Sequence, residues 1–390
     1  MNTQVMATPG TWKDGKRYLW PMGLLVPLLP FAGWLMVTLT GMSLFWWSAP
    51  VFFYGGVALL DVLVGTDPSN PPESAIDTLE QDRFYRWCTF LFLPLQYVGF
   101  FAAAWLIARG GLAPMDKLGL AISVGLVNGI AIANAHELGH KKETLERWLA
   151  RVVLAPSFYG HFYIEHNRGH HVRVSTPEDP TSARMGESFW AFLPRTVIGS
   201  IKSAWHLEKE RLARSGKGPW TLQNDVLNAW LISVVLYGGM LLWLGPSILP
   251  FLVIQAIYGF SLLEVVNYVE HYGLLRQKEA SGRYERCKPS HSWNSNHIVT
   301  NLLLYHLQRH SDHHANPTRR YQALRHFEDS PQLPSGYASM IVAAYFPPLW
   351  YRIMNKRVIQ HYGGDLGKAN ILPSARADLF RRYAPASAAQ

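Results

Sequence analysis

The chain has 390 residues, 49% of them hydrophobic and only 16% charged, with a mean hydropathy near zero. Its apolar residues collect in runs of about 20, the length that crosses a bilayer's hydrocarbon layer, and the basic residues behind the net charge of +9 flank those runs, which argues against a nucleic-acid binder. The two cysteines, Cys88 and Cys287, are isolated and exclude an iron–sulfur centre or a zinc ribbon.

Residues 1–17 are polar, with Lys13, Lys16 and Arg17, and no small-residue cleavage signal follows the apolar run behind them. A first, uncleaved span is therefore expected over 18–40. An aromatic turn (Phe45, Trp46, Trp47) leads to a second span at 49–64, and a Pro-rich loop leads to a third at 87–108. A short Gly/Pro turn joins this to a fourth span at 118–135. Residues 141–224 are mostly polar; within them Phe189–Trp205, interrupted by Pro194, Arg195 and Lys202, suits a helix lying on the membrane surface. Spans five (226–244) and six (248–269) form a hairpin that turns at Gly245-Pro246. Residues 272–390 are polar, and 384–390 read as the start of a flexible linker. The expected fold is an all-α integral membrane protein, one domain over 1–390, with six transmembrane helices and a histidine-rich cap holding a di-metal site.

Six spans place both termini on one side. Of the 36 Lys and Arg, only Arg109 and Lys117 then fall on the other. Positive loops stay in the cytoplasm, so the termini and the polar regions 141–224 and 272–390 are expected there.

The 16 histidines begin only at residue 136, and the clustered ones fall at span ends or in the polar regions. Span four ends in His136-Glu137-Leu138-Gly139-His140, an i, i+4 pair on one helix face. His166, His170 and His171 form a second box, and span six ends at His271. In Leu307–His314, the residues His310, His313 and His314 have the i, i+3, i+4 spacing that lets imidazoles face one centre. Nine imidazoles exceed what one ion holds, which implies two metals. The alternative, an H-E-x-x-H zinc protease with Glu137 as base, leaves the other boxes unexplained. A carboxylate-bridged di-iron site would need two Glu-x-x-His pairs, and only Glu137-x-x-His140 is present. Imidazole alone does not name the metal. His306 lies one turn before His310 and reads as a supporting or packing residue rather than a tenth ligand. His161, His206, His291, His297, His326 and His361 lack paired spacing. Ligand histidines donate their other N–H to an acceptor, so Glu264, Glu270 and Asp312 are candidate orienting partners. Gly119, Gly125 and Gly129 in span four are expected to permit close helix packing.

Together HELGHKKET, EHNRGHH, NYVEHYGLLRQ and LQRHSDHHANPTRRYQ resemble the alkane 1-monooxygenase branch of the membrane fatty-acid desaturase/hydroxylase superfamily, over nearly the whole chain. The resemblance implies nine histidine ligands for two non-haem irons: His136, His140, His166, His170, His171, His271, His310, His313 and His314. It implies terminal hydroxylation of medium-chain n-alkanes with O₂ in a bacterial inner membrane. Phe53 stands where the family places a chain-length-limiting aromatic; packing between spans is the plain alternative. No G-x-G-x-x-G or four-cysteine site is present, so the electrons must come from a partner. The resemblance points to rubredoxin, separate or fused downstream, fed by an NADH-dependent rubredoxin reductase. Residues 272–390 carry 16 Lys+Arg against 7 Asp+Glu, a surface suited to an acidic carrier, although the positive-inside rule alone accounts for it. A fatty-acyl desaturase or hydroxylase shares the boxes but needs a head-group site that the sequence does not reveal.

Overall fold

The computed structural model describes residues 12–383; the linker expectation at 384–390 lies outside them. The described chain is helical, with isolated bridges but no strand among the described residues. Six helices are long and apolar enough to cross a membrane: Arg17–Thr40, Ser43–Val64, Arg83–Arg109, Pro114–Gly139, Asp225–Leu244 and Pro246–His271. The chain is thus a multi-pass membrane protein.

The spans are not equivalent. In span four 89% of the apolar window is buried, and in span six 56%, against 22–39% in the others. These two form the inner pair, and their contact depends on missing side chains. A Cβ on Gly125 would stand 2.8 Å from the backbone oxygen of Gln255, and one on Gly129 would meet Leu262 at 2.8 Å. Small residues bring membrane helices close because lipid offers no hydrophobic drive to associate. Amides clamp the same contact: Gln96 donates to Asn128 (2.9 Å), Asn128 to Gln255 (2.6 Å), and Gln255 to the Pro156 carbonyl (2.6 Å).

Two spans depart from regular α-helix. Pro21 and Pro27 lack the N–H groups a regular ladder needs, and Arg17–Leu28 winds as a tighter 3₁₀ segment before the α-helix begins at Leu29. Span two widens to a π-turn over Phe52–Val57, and Phe53 within it is buried.

Phe189–Ala213 is a 25-residue helix capped by Ser188. Its buried residues, Phe189, Phe192, Thr196, Ser200 and Ala204, recur at three- and four-residue intervals, while Trp190 and Ile198 on other faces are exposed. This is the pattern of a surface helix. The buried apolar core runs without interruption from the middle of the inner spans into the cap, through Tyr268, Tyr272, Trp293 and Trp350. The clustered histidines lie at that junction.

Candidate metal centre

Four segments deliver the histidines. His136 lies in the last turn of span four and His140 caps it; His271 is the final residue of span six. His166–His170 is a π-turn, and His310–Ala315 is a six-residue α-helix. Their ring nitrogens gather into two groups, each with all candidate ligand atoms within 4.8 Å of one another. One holds His136, His140, His166, His171 and His313; the other holds His170, His271, His310 and His314.

The grouping corrects two expectations from spacing. In the second box, regular α-helical spacing would put His166 on one face with His170, four residues on. A π-turn takes about five residues, so His166 faces His171 instead, with their Nε2 atoms 3.1 Å apart, and His170 turns to the other group. In the last box the three histidines do not meet at one centre. Adjacent residues on an α-helix lie about 100° apart, so His314 joins His310 (Nε2–Nε2 2.9 Å) while His313 reaches His171 (3.0 Å).

The donor set fits a metal. Beyond the spans, burial first and neighbouring imidazoles second hold His140, His166, His171, His310, His313 and His314 well below the ordinary histidine pKa. They are therefore neutral, as ligands must be. His170 differs: burial lowers its pKa, but the charge and hydrogen bond of Asp179 outweigh that and raise it. Its Nδ1 lies 2.9 Å from Asp179 Oδ2 and 2.6 Å from Thr181 Oγ1. With Nδ1–H donated to Asp179, the lone pair of Nε2 faces inward, 3.2 Å from His314 Nε2. His271 likewise turns Nδ1 to the His291 carbonyl (3.4 Å) and Nε2 to His310 (3.2 Å). The Nε2 atoms of His136 and His140 are buried with no hydrogen-bond partner among the described residues. Donors about 2.1 Å from one ion and at right angles lie about 3.0 Å apart, which is the separation seen here. Inward lone pairs with nothing to receive them have a cation as their natural partner.

Asp179 is the orienting residue that sequence reasoning missed. It follows its histidine by nine residues, in a turn whose Thr181 and Ser182 hydroxyls also bond it. The Asp-Pro-Thr-Ser run after the second box was the available signal. Two of the expected partners touch no histidine side chain. Asp312 sits two positions after His310, on the opposite side of that helix, and bonds Arg319, Asn316 and the Arg325 amide. Glu264 is two helical turns before His271, and accepts from Tyr159, Thr196 and Asn267. Glu270 does reach a histidine, but at His310 Nε2 (3.3 Å), the nitrogen facing the group, rather than at an outer N–H.

His306 belongs to neither group. Tyr305 and His306 adopt left-handed backbone, which swings the imidazole away to the Tyr321 carbonyl (2.9 Å) and the Trp20 ring. Glu137 pairs with Lys141 at 2.9 Å and accepts from the Tyr321 amide, so it is not placed as a base beside the metal. Phe53 lines a narrow apolar cavity with Ile130 and Ala133 of span four, Leu263 and Val266 of span six, and Leu307. Ala133 lies one helical turn before His136, and Leu307 three residues before His310, so the lining adjoins in sequence one histidine of each group.

The fatty acid desaturase family matches residues 117–344. Alkane 1-monooxygenase 1 of Alcanivorax borkumensis is 49% identical over 93% of this chain and 90% of its own length. The alkane 1-monooxygenase of Acinetobacter baylyi is 48% identical over 95% and 91%, and that of Ectopseudomonas oleovorans is 45% identical over 99% and 96%.

Proposed function

The chain belongs to the fatty acid desaturase family and is a membrane alkane monooxygenase; from that premise we propose that it converts medium-chain n-alkanes to 1-alkanols, with two non-haem irons held by the nine grouped histidines. The observation that carries this reading is the pair of groups, five and four imidazoles with their nitrogens turned inward, gathered where the two inner spans end. Each turnover takes an alkane, O₂, two electrons and two protons to an alcohol and water. Iron, when bound, supplies the oxygen chemistry that none of these side chains can perform.

The protein's own residues select and position the substrate. An alkane has no polar handle, so only shape and burial can choose it. Each buried CH₂ favours binding by about 0.8 kcal/mol, and cavity length should therefore set the preferred chain length. Phe53 lines the cavity from span two, and a terminal methyl placed beside Ala133 and Leu307 lies next to the residues that lead in sequence into His136 and His310. Phe53→Ala is expected to extend activity to longer alkanes; an unchanged chain-length profile removes Phe53 from that role. Asp179 keeps His170 in the ligand tautomer, while Arg319 holds Asp312 and with it the helix that serves both groups.

The electron donor in this reading is rubredoxin, supplied by an NADH-dependent reductase. It meets the protein on the cytoplasmic face of the bacterial inner membrane, where the positive loops and both termini lie. The excess of 16 basic over 7 acidic residues in 272–390 suits an acidic carrier. The test is purified protein with reduced rubredoxin, O₂ and octane, with product analysis and metal counting. The expected result is 1-octanol and about two irons per chain, with turnover abolished in His310→Ala. Absence of 1-octanol, or zinc in place of iron, overturns the reading.

A further inference from the structure

The two histidine groups are unequal: five imidazoles face one centre and four face the other. Beside the smaller group stands a carboxylate. Glu270, 1% exposed, holds Oε2 at 3.3 Å from His310 Nε2, the same nitrogen that faces His271 at 3.2 Å and His314 at 2.9 Å. Its other oxygen, Oε1, accepts from the Tyr337 hydroxyl at 2.8 Å. Tyr337 is fixed in turn by its amide, which donates to Gln308 Oε1 (2.8 Å). One oxygen is thus anchored and the other is aimed at the group.

The other buried acids of the chain show what sets Glu270 apart. Glu137 pairs with Lys141, Glu187 with Arg195, Glu208 with Arg211, and Asp312 with Arg319. Asp61 and Glu264 have no such cation, but each is bonded through both oxygens by hydroxyl or amide donors. Glu270 has no Lys or Arg within salt-bridge distance among the described residues, and Oε2 has no neighbour of that kind except an inward-facing imidazole nitrogen. A buried carboxylate is costly unless paired, hydrogen-bonded or bound to a metal. The four-histidine group supplies the missing partner.

We propose that Glu270 is the anionic fifth donor of the four-histidine group, so that one metal is held by five neutral imidazoles and the other by four imidazoles and a carboxylate. This rests on the reading that both groups bind iron. It makes the two metals chemically distinct: the one beside Glu270 carries a compensating negative charge and a harder oxygen ligand.

The experiment compares wild-type, Glu270→Gln and Tyr337→Phe proteins loaded with iron, by metal counting and by release to a competing chelator. Gln keeps the shape and the acceptor for Tyr337 but removes the charge. The expected result is two irons in the wild type, and roughly ten-fold or faster release of one of them in Glu270→Gln. Tyr337→Phe, which keeps the carboxylate, should retain both. If both variants release iron alike, Glu270 serves only to hold Tyr337; if Glu270→Gln retains both irons at the wild-type rate, the inference falls. Fewer than two irons in the wild type would instead overturn the reading of the groups themselves. Should Glu270→Gln fail to fold, infrared difference spectra of wild-type protein with isotopically labelled glutamate decide the matter. Iron loading must then shift a glutamate carboxylate stretch, and no shift overturns the proposal.

Discussion

His136 and His271 end the two innermost spans, whereas His310, His313 and His314 sit on a six-residue helix far too short to hold itself together. The span-borne histidines are fixed by apolar packing and by the close approach at Gly125 and Gly129. The short helix is fixed by polar bonds instead. Arg309 donates to the carbonyls of Asp67, Ser69 and Leu324, Asp312 binds Arg319, and Asn294 bonds Ser311. That network, not the membrane, anchors this segment. All five of its residues from His310 to His314 are buried. Equivalent precision is reached by two kinds of force, and the two halves of the site should therefore fail in different ways.

The largest expected effect strikes the polar half. Asp312→Ala leaves Arg319, Asn316 and the Arg325 amide without their shared acceptor, and breaking a buried pair of this kind costs about 3–5 kcal/mol. Because the helix feeds both groups, thermal melting and metal counting should show lower stability with metal lost from both. Loss from one group alone would show that the two boxes are held independently. On the packed half, Gly125→Ala forces a Cβ against the Gln255 backbone and should cost about 1–3 kcal/mol, read as a lower melting temperature. An unchanged melting temperature would mean that the inner spans slide apart freely.

The smallest effect appears only in acid. His161 is buried with neither ring nitrogen bonded, and burial pushes its pKa down to about 3. Unfolded, it titrates near 6.5, so below that pH the unfolded chain binds a proton that the folded one refuses. Stability is unaffected above about pH 7 and falls with decreasing pH. At pH 5 the loss is about 2 kcal/mol from this residue. In melting curves at pH 7.5 and pH 5, His161→Phe should shrink the difference relative to the wild type, and an undiminished difference would assign the sensitivity elsewhere.

The apolar runs were legible because crossing a bilayer demands a length that few other structures need, and the nine histidines because no ordinary helix face repeats imidazole in that way. Their division into five and four was not legible. It depends on whether His166–His170 winds with four or five residues per turn, and on a 100° rotation between His313 and His314; neither leaves a mark in residue type. Orienting acids were misjudged for a similar reason. Asp312 is close in sequence to histidines but faces away from them, and Glu264 shares a face with His271 but stands two turns short of it, while Asp179 is nine residues from His170 and returns to it through a turn. The 3₁₀ opening of span one followed from Pro21 and Pro27, which were visible; the π-turn at Phe52–Val57 had no such signal.

That wide turn at His166–His170 also bears on how the protein tolerates change in length. Deleting a single residue there, Asn167 for instance, would preserve all nine histidines while tightening the turn to α-helical pitch. His166 and His171 would then stand four residues apart at a four-residue pitch, so His166 would still come around beneath the same partner and both centres would keep their donors. The count of residues and the pitch of the turn are therefore coupled coordinates of the site: one residue fewer is absorbed by a regular α-turn, whereas a change of pitch at constant length would bring His170 in place of His171 and exchange a donor between the centres.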